Sequence, residues 1–175
     1  MIFNLQPDVK TVGLLYSRSE TNSELPIAQA KEYLEEKGVK YIEKTGNTTD
    51  EILSAASELA QRCDVVFTPT DNVVMAAESA VAEILTQAGV AHYTGADSFV
   101  ASGAFATCGV NYTELGEKTA EMAFQILQTG EVPPYHVMEG GIITVNTEVA
   151  AQLSIDYAPF FDMANTVNEI ETTQE

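Results

Sequence analysis

Short apolar runs alternate with amphipathic stretches along most of the chain. The run TVGLLY (Thr11 to Tyr16) is continuously apolar at strand length, which predicts a strand buried on both faces. A helix is predicted to follow, with Asn22 or Ser23 as N-cap, Pro26 in its first turn, Ile27, Ala30 and Leu34 at helical spacing, and Gly38 as its end. VKYIEK (Val39 to Lys44) predicts a second, more polar strand. TTDEILSAASELAQRC then opens with Thr48 three residues before Glu51, a capping box, and sets Ile52, Ala55, Ala56 and Leu59 on one helical face.

The alternation continues. DVVFTPT (Asp64 to Thr70) predicts a strand ending at Pro69, and DNVVMAAESAVAEILTQAG a single helix capped by Asp71 or Asn72 with Val74, Ala77, Val81, Ile84 and Leu85 on its apolar face. VAHYTG (Val90 to Gly95) predicts a fourth strand, ADSFVASG a short helix, and AFATCGVNY (Ala104 to Tyr112) a fifth strand. A long amphipathic helix follows from Thr113 to Gly130, with Leu115, Thr119, Met122 and Ile126 on one stripe. A last strand is expected within YHVMEGGIITVN, with Gly140 and Gly141 marking a bulge or bend. Such alternation predicts an α/β fold: a mostly parallel, doubly wound sheet with helices on both faces. A single α/β domain is expected over residues 1–156. Residues 157–175 read as a tail that mixes aromatics with an acidic polar end, its last several residues disordered.

At 175 residues and 45% apolar content the chain can bury one core, and no apolar run approaches the roughly 20 residues of a membrane helix. Acidic residues outnumber basic ones 26 to 8, for a net charge of -18, which disfavours phosphate backbones and so nucleic-acid binding. Cys63 and Cys108 lie in no CxxC or zinc-ligand spacing, and each reads as a small core residue at a strand edge. MIFNLQPDVK has neither the charged nor the apolar region of a signal peptide. His92 and His136 fall within predicted strands, as packed or surface residues rather than bases.

In an open α/β sheet, ligands bind at the carboxyl ends of the strands. Those ends carry Ser17, Ser19, Glu20 and Asn22 after the first strand, Thr70, Asp71 and Asn72 after the third, Gly95, Asp97 and Ser98 after the fourth, and Asn111 and Tyr112 after the fifth. Hydroxyls and amides there suit a carboxylate, and Asp71, Asp97 or Glu20 suits an ammonium, so the rim is complementary to a zwitterion such as an amino acid. Tyr112, with Tyr16, offers an aromatic face. Each residue taken singly also reads as a simple helix cap. GxGxxG, GxxxxGK[ST] and GxSxG turns are absent, and Glu20 alone beside Asp71 is too little to hold magnesium in a receiver-type site. No cofactor or metal is expected. Two further functions stay open beside a binding module: the ligand-sensing part of a transcription regulator, for which no basic DNA-binding segment is seen, and a small enzyme using Asp71 or Asp97 as a base.

The stretches KTVGLLYSRSETNSELPIAQAKEYLEEKGVKYIEK, VVFTPTDNVV, GADSFVASGAFATCGVNYTELGEKTAEMAFQILQTG and VNTEVAAQLSI resemble, in that order, the carboxyl-side portion of the tryptophan/tyrosine-type substrate-binding proteins of ABC transporters. The resemblance covers roughly residues 9 to 156. It implies one lobe of a two-lobe type I periplasmic-binding-protein fold that closes on an aromatic amino acid or related small molecule, without catalysis. Further implied are a permease partner, a location on the extracellular face of the cytoplasmic membrane or in the periplasm, and lipid anchoring of the full-length protein. Ser17, Ser19, Glu20, Asn22, Thr70, Asp71, Asn72 and Asp97 would face the cleft, as would Asn111 and Tyr112. The family's amino-terminal lobe, signal peptide and lipid-attachment cysteine have no counterpart in this chain. The helix from Thr113 to Gly130 would belong with the absent lobe, and its bare stripe leads to the expectation that the chain self-associates through it.

Overall fold

β1 (Thr11–Tyr16) is buried from Val12 onward because its alternate side chains enter two different cores. Val12, Leu14 and Tyr16 pack on one face and Leu15 on the other. Gly13 opens the second face further, since a Cβ there would lie 3.0 Å from Val66 and 3.2 Å from Leu59. The computed structural model describes residues 1–173. In these residues the remaining strands are β2 (Lys40–Thr45), β3 (Val65–Thr68), β4 (Ala91–Thr94), β5 (Ala106–Gly109), β6 (Ile142–Asn146) and β7 (Thr166–Ile170), joined in one sheet of order β2-β1-β3-β4-β5-β6-β7. β1 to β5 are parallel, β6 runs antiparallel to β5, and β7 is parallel to β6. The expected doubly wound α/β architecture is therefore present.

The described helices are α1 (Ile2–Leu5), α2 (Thr21–Glu36), α3 (Thr49–Ala60), α4 (Asn72–Met75), α5 (Glu78–Gln87), α6 (Asp97–Ala101), α7 (Tyr112–Thr129), α8 (Thr147–Leu153) and α9 (Phe160–Met163). Ile27 and Leu34 of α2, Val149 of α8 and Phe160 of α9 cover one face. Ile52 and Leu59 of α3, Val74 of α4, Val81 and Leu85 of α5, and Phe99 of α6 cover the other.

Several boundaries differ from the sequence-based expectation. α2 starts at Thr21 after Glu20, so neither Asn22 nor Ser23 is its N-cap, and Pro26 sits in the second turn rather than the first. Both side chains are drawn instead to the next turn of the rim, Asn22 to Thr70 and Ser23 to Asp71. The single helix expected after β3 is broken at Ala77 (φ -110, ψ 2), where the chain turns Glu78 inward to meet His92. Gly140 and Gly141 precede β6 instead of interrupting it, and His136 lies outside any strand. Cys63 is buried as expected, but Cys108 on β5 is exposed, where it lines a cavity with Phe3 and Tyr33.

The expected tail boundary at residue 156 is not a boundary of the fold. Residues 157–170 carry α9 and β7, and β7 pairs with β6 from Ile142↔Thr166 to Asn146↔Ile170. Thr173 still donates its N–H to Ala101 O at 3.0 Å. The disorder expected for the end also concerned Gln174 and Glu175, which lie outside the described residues.

α7 stands apart. Asn111 caps it and Gly130, at φ 73, ends it in the left-handed conformation that glycine adopts without strain. None of its residues is buried among the described residues, and Phe124 and Leu127 are 61% and 84% exposed. The excursion from 110 to 140 leaves and re-enters the sheet at one point, where Gly141 donates its N–H to Gly109 O.

Candidate functional site

The carboxyl ends of β1 and β3 are bound together by one carboxylate. Asp71, the N-cap of α4, accepts from the N–H groups of Val73 (3.1 Å) and Val74 (3.0 Å) through Oδ1. Its Oδ2 accepts from the N–H of Ser17 (2.8 Å) and the hydroxyl of Ser23 (2.7 Å). With four donors in place and 1% exposure, Asp71 braces the two turns from beneath.

Above this brace lies an exposed network. Glu20 Oε2 accepts from the Asn72 side-chain amide at 2.8 Å, Asn22 donates to Thr70 O at 2.7 Å, and the Thr70 hydroxyl donates to Gly95 O at 3.3 Å. Gly95 has no substitute here, since a Cβ on it would lie 2.6 Å from Thr70 N. Ser17 and Ser19 flank the network: their hydroxyls are 2.7 Å apart, and Ser17 donates to Asn47 Oδ1 at 3.0 Å. Asn47, after β2, was not singled out by sequence. The capping box beside it was the available signal, its N–H donating to Glu51 at 2.7 Å. Tyr16 offers no open face: it is buried and its hydroxyl donates to Glu43.

Asp97, Asn111 and Tyr112 gather at a second place, around a cavity of about 250 Å³ floored by Thr107, Thr144 and Asn168. Asn111 is occupied as a cap, accepting from the N–H groups of Thr113 (2.9 Å) and Glu114 (3.2 Å). Tyr112 is half exposed, and the Asp97 carboxylate makes no hydrogen bond to a described residue. The two places are continuous through Gly95 and Ala96, which join the Thr70 contact to Asp97. Thr144 lies on β6, away from the strand ends that sequence reasoning singles out, and Asn168 lies on β7, in the stretch expected to be tail.

A buried polar chain also went unnoticed. His92 Nδ1 lies 2.9 Å from Glu78 Oε1 and its Nε2 2.8 Å from the Thr68 hydroxyl. Burial pushes the Glu78 carboxyl above the usual carboxylate range, against the opposing pull of His92, and Oε2 has no partner among the described residues. The two ring nitrogens thus link the Glu78 carboxyl to the Thr68 hydroxyl in one buried chain. Hydroxyl, imidazole and carboxyl stand in the order of a hydrolytic triad, but all three are buried, so no substrate reaches them. Among the described residues no cluster of three His, Cys, Asp or Glu side chains could hold a metal ion, and no helix is long and apolar enough to cross a membrane.

Residues 1–160 match the family model described as ABC transporter substrate binding protein. A tyrosine-binding protein of Clostridioides difficile (strain R20291) is 30% identical over 146 residues, which are 82% of this chain and 42% of that protein. The structure of an ABC domain in complex with L-Trp from Streptococcus pneumonia superposes with a TM-score of 0.85 at 28% identity, covering 95% of this chain and 57% of that one. A conserved domain protein from Vibrio cholerae gives the same TM-score of 0.85 at 27% identity, again over 95% of this chain and 57% of that one. The chain thus spans less than two thirds of the length of each of these relatives.

Proposed function

The chain belongs to the ABC transporter substrate binding protein family, and from that premise we propose that it is one lobe of a receptor that captures an aromatic amino acid. One observation carries this reading. The polar network of Glu20, Asn22, Thr70 and Asn72 stands at the strand ends where this fold binds ligands, in a chain alike in fold and sequence to a protein crystallised with L-Trp. The name of the Clostridioides difficile relative, a tyrosine-binding protein, supports the same ligand class.

In this reading Ser19, Glu20, Asn22, Thr70, Asn72, Asp97, Asn111 and Tyr112 form one wall of a cleft, and Asp71 and Ser17, both buried although expected to face the cleft, hold the wall in shape. The other wall comes from a second lobe, which closes by hinge motion at the Gly109–Gly141 crossing and excludes water from the ligand. α7 lies with that second lobe, which accounts for its bare surface. The protein performs no catalysis; it works outside the cytoplasmic membrane, lipid-anchored in full length, and hands its ligand to a permease.

Calorimetric titration of L-tryptophan, L-tyrosine and L-phenylalanine into the protein carrying both lobes tests this. Saturable heat with at least one of them, weakened about tenfold or more by Asn22→Ala through loss of one to two hydrogen bonds, is expected. Absence of heat with all three would move the ligand to another chemical class.

A further inference from the structure

A lateral row of polar residues crosses five strands just below the rim. Thr68 pairs with Thr94, Thr94 with Thr107, Thr107 with Thr144, and Thr144 with Asn168. Residues in register on neighbouring strands share a sheet face, so these side chains all point to the side covered by α3 to α6. Hydroxyls inside a core are tolerated where each has a partner. On the β3 side of the row they do. Thr68 meets His92 at 2.8 Å, Thr94 donates to Ala96 O at 3.3 Å, and Thr107 donates to Thr94 O at 2.7 Å.

The row changes character at β6. Thr144 is 4% exposed, yet its hydroxyl has a single contact, the Asn168 amide at a long 3.5 Å, and donates to nothing described. The helical cover also ends here, and the cavity of about 250 Å³ opens between Asp97, Thr144 and Asn168. Thr144, buried with one long bond, and Asn168, exposed on the edge strand β7, therefore line this cavity with hydrogen-bonding capacity to spare. One carboxylate faces two uncharged donors across it.

We propose that Thr144 and Asn168 are specificity-determining residues of the ligand site, donating hydrogen bonds to the carboxylate of an amino acid whose ammonium group sits on Asp97. The inference rests on the amino-acid reading given above. It also makes β7 part of the site, because Asn168 reaches the cavity only through pairing of β7 with β6.

The test is a ¹H–¹⁵N titration of the two-lobe protein with L-tryptophan and with tryptamine, which lacks the carboxylate, read at the side-chain amides of Asn22, Asn72 and Asn168. Thr144→Val and Asn168→Leu are compared with wild type, and spectral dispersion checks that each is folded. L-tryptophan is expected to shift the Asn168 amide, and each variant to weaken L-tryptophan about tenfold while leaving tryptamine unchanged, the effect of one hydrogen bond to a charged group. Unchanged affinity for L-tryptophan, or equal losses for both ligands, overturns the proposal. Shifts at Asn22 and Asn72 with none at Asn168 overturn it while the amino-acid reading stands. No shift at any of the three amides removes both.

Discussion

The main-chain N–H of Ser17 donates to Asp71 Oδ2 at 2.8 Å, across 54 residues of sequence. Through this bond the turn after β1 and the turn after β3 share one buried carboxylate, which also caps α4. The rim is thus rigid where it is deepest. Replacing Asp71 by Ala removes a cap worth about 0.5–2 kcal/mol and strands buried donors at about 1–3 kcal/mol each, so a loss of about 3 kcal/mol or more is expected in urea unfolding. A loss below about 0.5 kcal/mol would show that Asp71 is not the brace.

The Glu78–His92 pair predicts a pH effect of definite sign. Glu78 keeps its proton in the folded state at pH values where the unfolded carboxyl, with a pKa of about 4.3, has lost it. The contribution to stability is complete below that value and falls as pH rises through the higher folded pKa. Glu78→Gln abolishes this titration. Between pH 4.5 and pH 7 the variant should therefore lose less unfolding free energy than wild type; parallel pH profiles would exclude the protonated carboxyl.

Gly95→Ala should disturb the meeting of the β3 and β4 turns, because the new Cβ would lie 2.6 Å from a main-chain nitrogen. Overpacking of this kind costs about 1–3 kcal/mol. Thermal unfolding should register it, whereas Gly116→Ala on α7, where a Cβ meets nothing within 4 Å, should be neutral or slightly stabilising.

The two thiols should differ sharply. Burial raises the Cys63 thiol to about 11, whereas Cys108 is exposed on β5. At pH 8 a disulfide reagent should titrate one thiol per folded chain rapidly and the second only after denaturation. Rapid reaction of both would place Cys63 in contact with solvent.

Phe124 and Leu127, beside the expected stripe of α7 whose Leu115, Met122 and Ile126 are half-buried, should find a partner when the chain is studied alone. Sedimentation at increasing concentration is expected to show self-association, lost in Phe124→Glu or Leu127→Glu, since both side chains stand exposed on α7. A monodisperse monomer across the range would count against this.

What could be read from the residues in order was whatever depends on local periodicity and local hydrogen bonding. TVGLLY declares a doubly buried strand because no polar residue interrupts it, and Thr48 declares a helix start because its hydroxyl needs only the N–H of Glu51, 3.3 Å away. The alternation of such units was enough for the fold class, and the strand-end rule was enough to bring Glu20, Asn22, Thr70 and Asn72 together on paper as they meet in the structure. Tertiary structure alone decided the rest. Nothing local breaks the helix at Ala77; the break follows from Glu78 turning to a histidine 14 residues away. Asp71 reads as an open ligand group until Ser17 and Ser23 arrive to occupy it. TVNEI has too few apolar residues to announce a strand and becomes one only because β6 offers it a row of free main-chain partners, which carries Asn168 to the cavity. Local patterns are set by a few neighbouring residues, whereas buried polar partners and edge strands are set by contacts that exist only once the chain has closed on itself.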